Sequence, residues 1–585
     1  MNSAMRSFVI LALAAASCVV ATDLEQRAAN WTVGQTVQTS SGPVSGHPAK
    51  NDSDVSEYLG IPFGQAPVGD LRFAAPVAFN GTAPLNGSVF GYSCPVLQGS
   101  STLPTAAEIA AANLTDVGIE VFEVLSNTNA SYSEDCLYLN VWTKPQTGEA
   151  KKAVLVWVYG GAFTSGSSSI PAYNGANIAN QEDVVVVSFN YRLSILGFPG
   201  DPNGPQNLGF LDQRLAVEWV RDNIENFGGD PSRITLFGQS AGGASVDAYS
   251  YAWASDPIAA GFISESGTMF SWGLPNSQAS VTKAWYAVAG NLGCGNASSD
   301  PTAVMTCMRQ QNYTAILEAI PVSKGVSGIL GSFGPTVDET VVFSNYSQRT
   351  HAKIPMLIGN NNYEGGIFRT EYALDGIFYS DAFWDDFNLQ EFTCPAGIRA
   401  NASLAAGNPT WRYRYFGVFP NLAVSSEAGT YHAAELPIIF DTAPGSSTAD
   451  EVSIANYMRG AWAAFAKDPQ NGLTTYGWPS YNPSQDTLIR LAYNNITGTN
   501  VINPYRYDAD CVFVNVSSTN SSAYPTTLPD LGANVTPTAT GASATGSATQ
   551  TPAPRTSSSA AAGTKSSMQV GGWLGLGAVV AAYLL

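Results

Sequence analysis

A serine lies at the centre of residues 238–242, which have the sequence Gly-Gln-Ser-Ala-Gly. Residues 234–237 form a short, mostly apolar run of the kind found in a buried parallel strand. Small residues two positions before and after Ser240 permit a sharp turn from strand to helix that exposes the hydroxyl. A helix beginning at Ala241 would direct its first amides toward an oxyanion beside the serine. The pattern therefore predicts that Ser240 is a nucleophile in covalent catalysis.

A serine hydroxyl needs a base to accept its proton, and the chain has 3 histidines. His47 lies in a polar turn near the start of the chain, and His351 precedes a predicted strand without glycine or acidic neighbours. His432 lies downstream of the last predicted strand of the sheet. Serine motifs of this type are followed along the chain by the acid and then the histidine. We therefore predict that His432 is the base.

The acid that orients the histidine is expected in a turn after a late strand, upstream of His432. Glu364 follows the apolar run at residues 354–359 and meets this condition. Asp338 and Glu339 are weaker candidates, because no buried strand precedes them. Glu364 is therefore the predicted acid.

These residues require a scaffold, and apolar runs typical of buried strands alternate with helical patterns along the chain. Strands are predicted at residues 153–159, 184–187, 234–237 and 354–359, a helix at 210–227, and mostly helical structure at 275–345 and 365–436. The alternation predicts an α/β fold with a large central, mostly parallel sheet flanked by helices.

Composition favours a secreted protein that does not bind nucleic acid. The formal net charge of the 585 residues is -19, which would repel phosphates. Residues 1–21 resemble a signal peptide, with Arg6 before an apolar stretch. Loss of Cys18 with that segment leaves six of the 7 cysteines, enough for three disulfide bonds in an oxidising compartment. Fourteen Asn-x-Ser/Thr acceptors indicate a glycosylated surface.

The end of the chain predicts attachment to a membrane surface. After a catalytic domain at residues 22–516, residues 517–568 are rich in Ser, Thr, Ala and Pro, as in an extended stalk. Residues 569–585 end in an apolar run without charge, which favours a glycosylphosphatidylinositol (GPI) attachment signal over a tail-anchored helix.

Several segments in fixed order resemble type-B carboxylesterases and lipases, the cholinesterase-like α/β-hydrolases. They are residues 133–141 (SEDCLYLNV), 159–163 (YGGAF), 238–243 (GQSAGG) and the segments around Glu364 and His432. The resemblance covers about residues 30–515. It implies the α/β-hydrolase fold, serine esterase activity and the triad Ser240, Glu364 and His432.

The resemblance also implies further site and structural residues. The implied oxyanion hole consists of the backbone amides of Gly161, Ala162 and Ala241. The implied disulfide bonds are Cys94–Cys136, Cys294–Cys307 and Cys394–Cys511, and the implied structural ion pair is Arg72–Glu134. No metal or organic cofactor is implied, and the expected partner is a small-molecule or lipid ester.

Two departures from the family pattern concern the site. Ala162 stands where relatives often have a third glycine, although alanine retains the backbone amide. Gln239 stands where relatives often have glutamate, so a negative charge next to the nucleophile is absent. The departures predict an intact oxyanion hole with altered electrostatics.

The segment between Cys94 and Cys136 bears on the substrate. It lacks the tryptophan with which cholinesterases bind a quaternary ammonium, and residues 106–125 have mostly helical apolar spacing. This segment resembles the flap of fungal lipases and sterol esterases, but an ordinary surface helix would show the same spacing. The sequence therefore predicts a secreted, GPI-anchored hydrolase of neutral apolar esters. The alternatives are a lipase or sterol esterase with a lid, and a non-catalytic adhesion protein of neuroligin type.

Overall fold

The computed structural model describes residues 31–97, 104–126, 130–145, 151–321 and 330–514. The strands are β1 Thr36–Thr39, β2 Gly42–Ser45, β3 His47–Pro48, β4 Ser56–Pro62, β5 Leu85–Asn86, β6 Tyr138–Thr143, β7 Lys152–Val158, β8 Val185–Phe189, β9 Gly229–Gln239, β10 Gly261–Glu265, β11 Met356–Asn361, β12 Thr410–Tyr415, β13 Leu488–Leu491 and β14 Val501–Ile502. The α-helices are α1 Ala106–Ala111, α2 Asp116–Leu125, α3 Ala176–Glu182, α4 Ser194–Gly197, α5 Leu208–Asn223, α6 Ala241–Ala252, α7 Gln278–Asn291, α8 Pro301–Gln310, α9 Tyr313–Glu318, α10 Gly365–Leu374, α11 Asp381–Asn388, α12 Cys394–Ala405, α13 Leu436–Ile439, α14 Ala449–Lys467, α15 Gly472–Thr475 and α16 Tyr505–Asp508.

The central sheet of the described residues has 11 strands in the order β14-β13-β12-β11-β10-β9-β7-β8-β6-β4-β3. The strands from β8 to β13 along this order are parallel, and both edges of the sheet are antiparallel. Strands β1, β2 and β5 form a separate small sheet. Helices flank the large sheet, so the predicted α/β-hydrolase fold is confirmed.

The core of the protein lies against this sheet. Strand β7 is buried along its whole length, as its continuous apolar sequence predicts for a strand covered on both faces. The Trp157 ring packs against Phe237 of β9 and against Phe440, with centroid distances of 4.8 Å and 5.0 Å. A smaller apolar cluster around Trp285 lies under helices α7 to α9.

The parallel strands bring the candidate site residues together. Strands β10, β11 and β12 follow β9 side by side, each parallel to its neighbour. Their carboxyl ends therefore meet at one edge of the sheet, where ligands of open α/β sheets bind. Ser240 follows β9 directly, Glu364 comes after β11, and His432 lies in the long connection after β12.

One sequence expectation about the sheet was wrong. Residues 354–359 were expected to contain the last strand and residues 365–436 to be helical, yet β12 lies within that range and β13 and β14 follow His432. Strand β12 contains Arg412 and Arg414, which are both buried. Two arginines in six residues conceal a buried strand, because apolar periodicity is the signal that identifies one.

The predicted helix at residues 106–125 is two helices, α1 and α2, separated at Asn113, which has a φ of 50°. Helix α2 is fixed to the body: Val121, Phe122 and Leu125 are buried. The Thr115 amide donates to the Val424 carbonyl at 3.0 Å. Helix α1 has no buried residue. The apolar spacing therefore marks a docked helix in α2 and an exposed one in α1.

Three disulfide bonds are present: Cys94–Cys136, Cys294–Cys307 and Cys394–Cys511. Arg72 and Glu134 form a buried ion pair, in which the Arg72 Nε donates to Glu134 Oε1 at 2.6 Å. Nη1 of Arg72 donates to the carbonyl of Gln311 at 2.6 Å. Arg72 therefore joins the first disulfide loop to the end of helix α8.

The predicted signal peptide, stalk and GPI signal lie outside the described residues. Within the part of the chain that the structure describes, no helix is long and apolar enough to cross a membrane.

Candidate active site

Ser240 lies in a tight turn between strand β9 and helix α6. Its φ of 60° and ψ of -126° are strained for a residue with a side chain, and its amide donates to the Glu265 carbonyl at 2.8 Å. Two glycines that pack against the turn have no room for a side chain. A Cβ on Gly242 would lie 2.0 Å from the Val158 carbonyl oxygen, and one on Gly267 would lie 1.9 Å from that of Ser240. Close packing therefore holds the serine in its strained, half-exposed position.

Glu364 and His432 form a buried, directly bonded pair. The Nδ1–H of His432 donates to Glu364 Oε2 at 2.6 Å, and the exposed fractions of the two residues are 3% and 1%. The other carboxylate oxygen, Oε1, accepts from the Ser266 hydroxyl at 2.6 Å and from the Asn361 amide at 2.5 Å. With Nδ1 protonated, Nε2 of His432 has a free lone pair and can accept a proton.

Gln239, rather than Ser240, is bonded to this lone pair. The Gln239 side-chain amide donates to His432 Nε2 at 3.0 Å, and Gln239 is buried. Within the described residues, the Ser240 hydroxyl has no hydrogen-bond partner. The structure thus brings Ser240, Glu364 and His432 to one place and adds a fourth group, Gln239, that the sequence indicated only as a departure from the family pattern.

The backbone amides of Gly161 and Ala162 lie in a loop beside the serine. A Cβ on Gly160 would lie 2.8 Å from Cβ of Ser240, which places the loop against the nucleophile. Gly161 has a φ of 113° and Ala162 a φ of 54°. Neither amide has an acceptor among the described residues. Ala241 is the first residue of helix α6, so its N–H also has no partner in the preceding turn.

The family follows from comparison with known proteins. The sequence model of the carboxylesterase family matches residues 33–388. The chain belongs to the carboxylesterase family. It is 34% identical to a chlorogenic acid esterase of Aspergillus niger over 518 residues, which cover 83% of this chain and 96% of that protein.

Two further relatives extend the range of named activities. Secreted lipase 5 of Gibberella zeae is 33% identical over 508 residues, covering 79% of this chain and 91% of that protein. Cholinesterase of Mus musculus is 34% identical over 336 residues, covering 54% of this chain and 51% of that protein. The predicted resemblance to type-B carboxylesterases is therefore confirmed, and the chain is a carboxylic-ester hydrolase.

Aromatic rings surround the imidazole of this carboxylesterase. The centroids of Phe368 and Phe392 lie 5.2 Å and 5.1 Å from that of His432, and Trp272 packs edge-on against Phe392 at 5.5 Å. Sequence reasoning missed these residues, because Phe368 and Phe392 lie in a region predicted only as helical and Trp272 lies in a turn outside any predicted element. The imidazole is therefore enclosed on one side by apolar surface.

Two further buried acids lie behind the Glu364–His432 pair and were also missed. Glu265 ends strand β10, and Glu435 follows His432 by three residues. Both are fully buried. Burial raises the pKa of Glu265 to about 8, although a hydrogen bond from Trp462 opposes the shift. Burial, and then the charges of Glu364 and Glu265, raise the pKa of Glu435 well above its usual range.

The residues that the sequence ranked lower lie in structural environments. His47 faces Glu57 at 3.6 Å, and His351 contacts the Ala352 carbonyl at 3.1 Å. Asp338 accepts hydrogen bonds from three amides of its own turn, and Glu339 is paired with Arg349. No group of three or more potential metal ligands occurs in the described ranges.

Proposed function

We propose that this chain is a secreted serine esterase that hydrolyses neutral, apolar carboxylic esters through an acyl-enzyme. The observation that carries the proposal is the 2.6 Å bond between Glu364 and His432 next to the strained turn of Ser240. A serine, a histidine and an acid with these relations can carry out acyl transfer without a cofactor.

In the proposed mechanism, Ser240 attacks the ester carbonyl while His432 Nε2 takes the hydroxyl proton. His432 then protonates the leaving alcohol, and a water molecule activated by the same nitrogen hydrolyses the acyl-enzyme. Because Gln239 donates to Nε2, the serine hydroxyl must replace this amide before proton transfer. Glu364 keeps the Nδ1 proton in place and stabilises the imidazolium that forms.

The proposed oxyanion hole consists of the amides of Gly161, Ala162 and Ala241. Three backbone donors next to Ser240 without acceptors of their own can stabilise the negative oxygen of the tetrahedral intermediate. Alanine at position 162 supplies the same N–H as glycine. Its positive φ is sterically costly for alanine, so the loop must hold this geometry.

The preference for neutral, apolar substrates rests on two observations. Phe368, Phe392 and Trp272 provide apolar surface beside the base. Residues 95–135 contain no tryptophan that could hold an ammonium group, and Gln239 carries no charge to attract one. The relatives from Aspergillus niger and Gibberella zeae are named as a chlorogenic acid esterase and a secreted lipase, and neither name refers to a choline ester.

A lipase with a lid is the second candidate, and helix α1 is the observation that favours it. This helix lies in the first disulfide loop, has no buried residue, and borders a cavity of about 70 Å³ with Arg369, Phe378 and Glu427 on the opposite side. Helix α2, in contrast, is docked by its apolar face. A lid function would therefore involve α1 rather than the whole insert.

Secretion and anchoring complete the proposal. The three disulfide bonds and a relative named as a secreted lipase are consistent with an extracellular location. We assign residues 1–21 to a signal peptide, 517–568 to a glycosylated stalk and 569–585 to a GPI signal. A phosphatidylinositol-specific phospholipase should then release active enzyme from cells. Enzyme that stays bound after treatment would contradict the GPI assignment.

Labelling by a serine-directed organophosphonate tests the catalytic assignment. Peptide mass analysis should place the label on Ser240, and Ser240→Ala should lose both labelling and esterase activity while it remains folded. Turnover by the variant within tenfold of the unmodified enzyme would overturn the assignment. A neutral butyrate ester and butyrylcholine, compared by kcat/KM, test the substrate class. Faster hydrolysis of the choline ester would contradict it.

A further inference from the structure

Three buried carboxyl groups lie near the imidazole: Glu364, Glu435 and Glu265. Only Glu364 accepts enough hydrogen bonds to stabilise a negative charge. Glu364 accepts from His432, Ser266 and the Asn361 amide. Glu435 accepts from the Asn361 side chain and from its own backbone amide, and no other residue donates to its Oε1. Glu265 accepts from the Trp462 indole at 2.6 Å, and its Oε2 has no partner. A buried carboxylate without a cation or several donors is costly, and such a group takes up a proton instead.

No positively charged group of the described residues acts on Glu435. Two acids act on it: Glu265 at the end of β10 and Glu364 just after β11. Asn361, the last residue of β11, donates to it. The other groups that face it are tyrosines: Tyr413 and Tyr415 on β12, Tyr431 in its own loop, and Tyr173 in the 3₁₀ helix Pro171–Tyr173. The hydroxyls of Tyr413, Tyr415 and Tyr431 are buried without a partner, as is Asn361 Oδ1. A neutral carboxylic acid can donate a hydrogen bond in such a site, whereas a carboxylate cannot.

Asn361 connects Glu435 to the catalytic pair. Its side-chain amide donates to Glu435 Oε2 and to the Tyr431 carbonyl, and its backbone amide donates to Glu364 Oε1 at 2.5 Å. Tyr431 precedes His432 in the chain, so Asn361 contacts both sides of the Glu364–His432 pair. The Glu435 carboxyl group holds the side chain of this linking residue.

We propose that Glu435 is a positioning residue that acts as a neutral acid. It fixes Asn361, and thereby Glu364 and the His432 loop, without placing a second negative charge beside the imidazole. A carboxylate at this place would favour the protonated imidazole, so that a smaller fraction of the enzyme would have His432 free to accept the serine proton. The inference rests on the proposed function, since it assigns a role relative to the Glu364–His432 pair.

The experiment compares Glu435→Gln and Glu435→Leu in the full-length secreted enzyme. Glutamine keeps the acceptor for Asn361 and is uncharged. Its kcat should therefore stay within about threefold of the wild-type value. The pH at which kcat/KM falls on the acid side should differ from that of the wild type by less than about 0.3 pH unit. Leucine removes the acceptor, so kcat should fall by roughly tenfold or more with a smaller change in KM. Asn361→Ala keeps its backbone amide but loses the link, and it should show the same loss if the leucine variant does not fold.

A matched control is Glu451→Gln. Glu451 is also buried, but it serves the N-terminal cap of helix α14 and binds Asn421. Its replacement should leave kcat and the pH profile unchanged, which separates positioning from general damage to the core. Infrared spectroscopy gives a direct measurement: a neutral carboxyl C=O band at pH 7 should weaken in Glu435→Gln.

Several outcomes would overturn the proposal. An acid limb lowered by about half a pH unit or more in Glu435→Gln would show that a negative charge had been removed. An unchanged neutral-carboxyl band in Glu435→Gln would show that Glu435 does not contribute to this band and is therefore ionised at pH 7. Wild-type kcat in both Glu435→Leu and Asn361→Ala would exclude a positioning role. Failure of the proposed function is distinguishable, because it would appear as activity in Ser240→Ala.

Discussion

On helix α6, the buried Asp247 is paired with the buried Arg399, whereas near His432 the buried Glu265 and Glu435 have no cation partner among the described residues. Asp247 also accepts from the Met269 amide at 3.0 Å, so its charge is fully compensated. A buried carboxyl group thus has a cation partner in one region, whereas in the other Glu435 is the neutral acid proposed above. On that proposal, the paired region stabilises the fold and the unpaired region limits the negative charge beside His432.

The largest expected effect is on catalysis and comes from Glu364, the acid that is bonded to His432. Glu364→Gln should lower kcat by about 10⁴, because the amide no longer holds the Nδ1 proton of His432 or stabilises the imidazolium. Asp338→Asn is the matched control and should keep its activity, since Asp338 accepts from amides of its own turn and from the Asn207 side chain and has no contact with Glu364 or His432. Steady-state kinetics on a neutral ester measures both. Comparable losses in the two variants would indicate that Glu364 has no special role.

The next effect is on stability and comes from the paired region. Asp247→Asn leaves the Arg399 guanidinium buried without its counter-charge, which typically costs about 3 to 5 kcal/mol in the free energy of unfolding. The kcat of the remaining folded protein should change by less than about twofold, because neither residue contacts the site. Urea unfolding and active-site titration measure the two quantities. A stability loss below about 1 kcal/mol would remove the contrast between the two regions.

Glu265 should make stability depend on pH. Its pKa of about 8 in the folded state exceeds the ordinary 4.5 of an unfolded glutamate, so unfolding releases a proton between these pH values. Stability therefore falls as the pH rises through this window. Glu265→Gln should reduce the loss in the free energy of unfolding between pH 5 and pH 8 by about 3 kcal/mol. An equal pH dependence in both proteins would mean that Glu265 is ionised when folded.

The smallest effect concerns the uncharged Gln239. Gln239→Glu places a carboxylate against Nε2 of His432. This charge favours the protonated imidazole, so a higher pH is needed before His432 can accept a proton. The acid limb of kcat/KM should therefore move up by about one pH unit. An unmoved limb would show that this side chain does not face the base during turnover, and Gln239→Leu, which also removes the hydrogen bond, separates charge from contact.

Local patterns in the sequence indicate the three residues that the structure brings together at the candidate site. The serine turn has a fixed glycine spacing, only three histidines compete, and Glu364 directly follows a readily recognised strand. The same reasoning placed β7, β8, β9 and β11 of the sheet.

What the sequence did not predict depends on contacts between distant segments. Strand β12 was missed because Arg412 and Arg414 are buried only with partners elsewhere, such as Asp508 for Arg412. Glu435 resembles a surface glutamate in the sequence. Its burial without a cation partner follows from packing against β10, β11 and β12. The Gln239 contact with His432 likewise spans 193 positions, beyond any local pattern.

The disulfide bond between Cys394 and Cys511 determines where a tethered enzyme would carry mechanical tension. Cys511 lies three residues before the end of the described chain, and Cys394 begins helix α12. Phe392, two residues before Cys394, packs against the His432 ring at 5.1 Å. Force on a stalk attached beyond residue 514 would therefore reach the molecule at the helix next to the base, and not at the end of helix α16. A cut in the stalk would release the enzyme with this attachment point still cross-linked and without tension on the site.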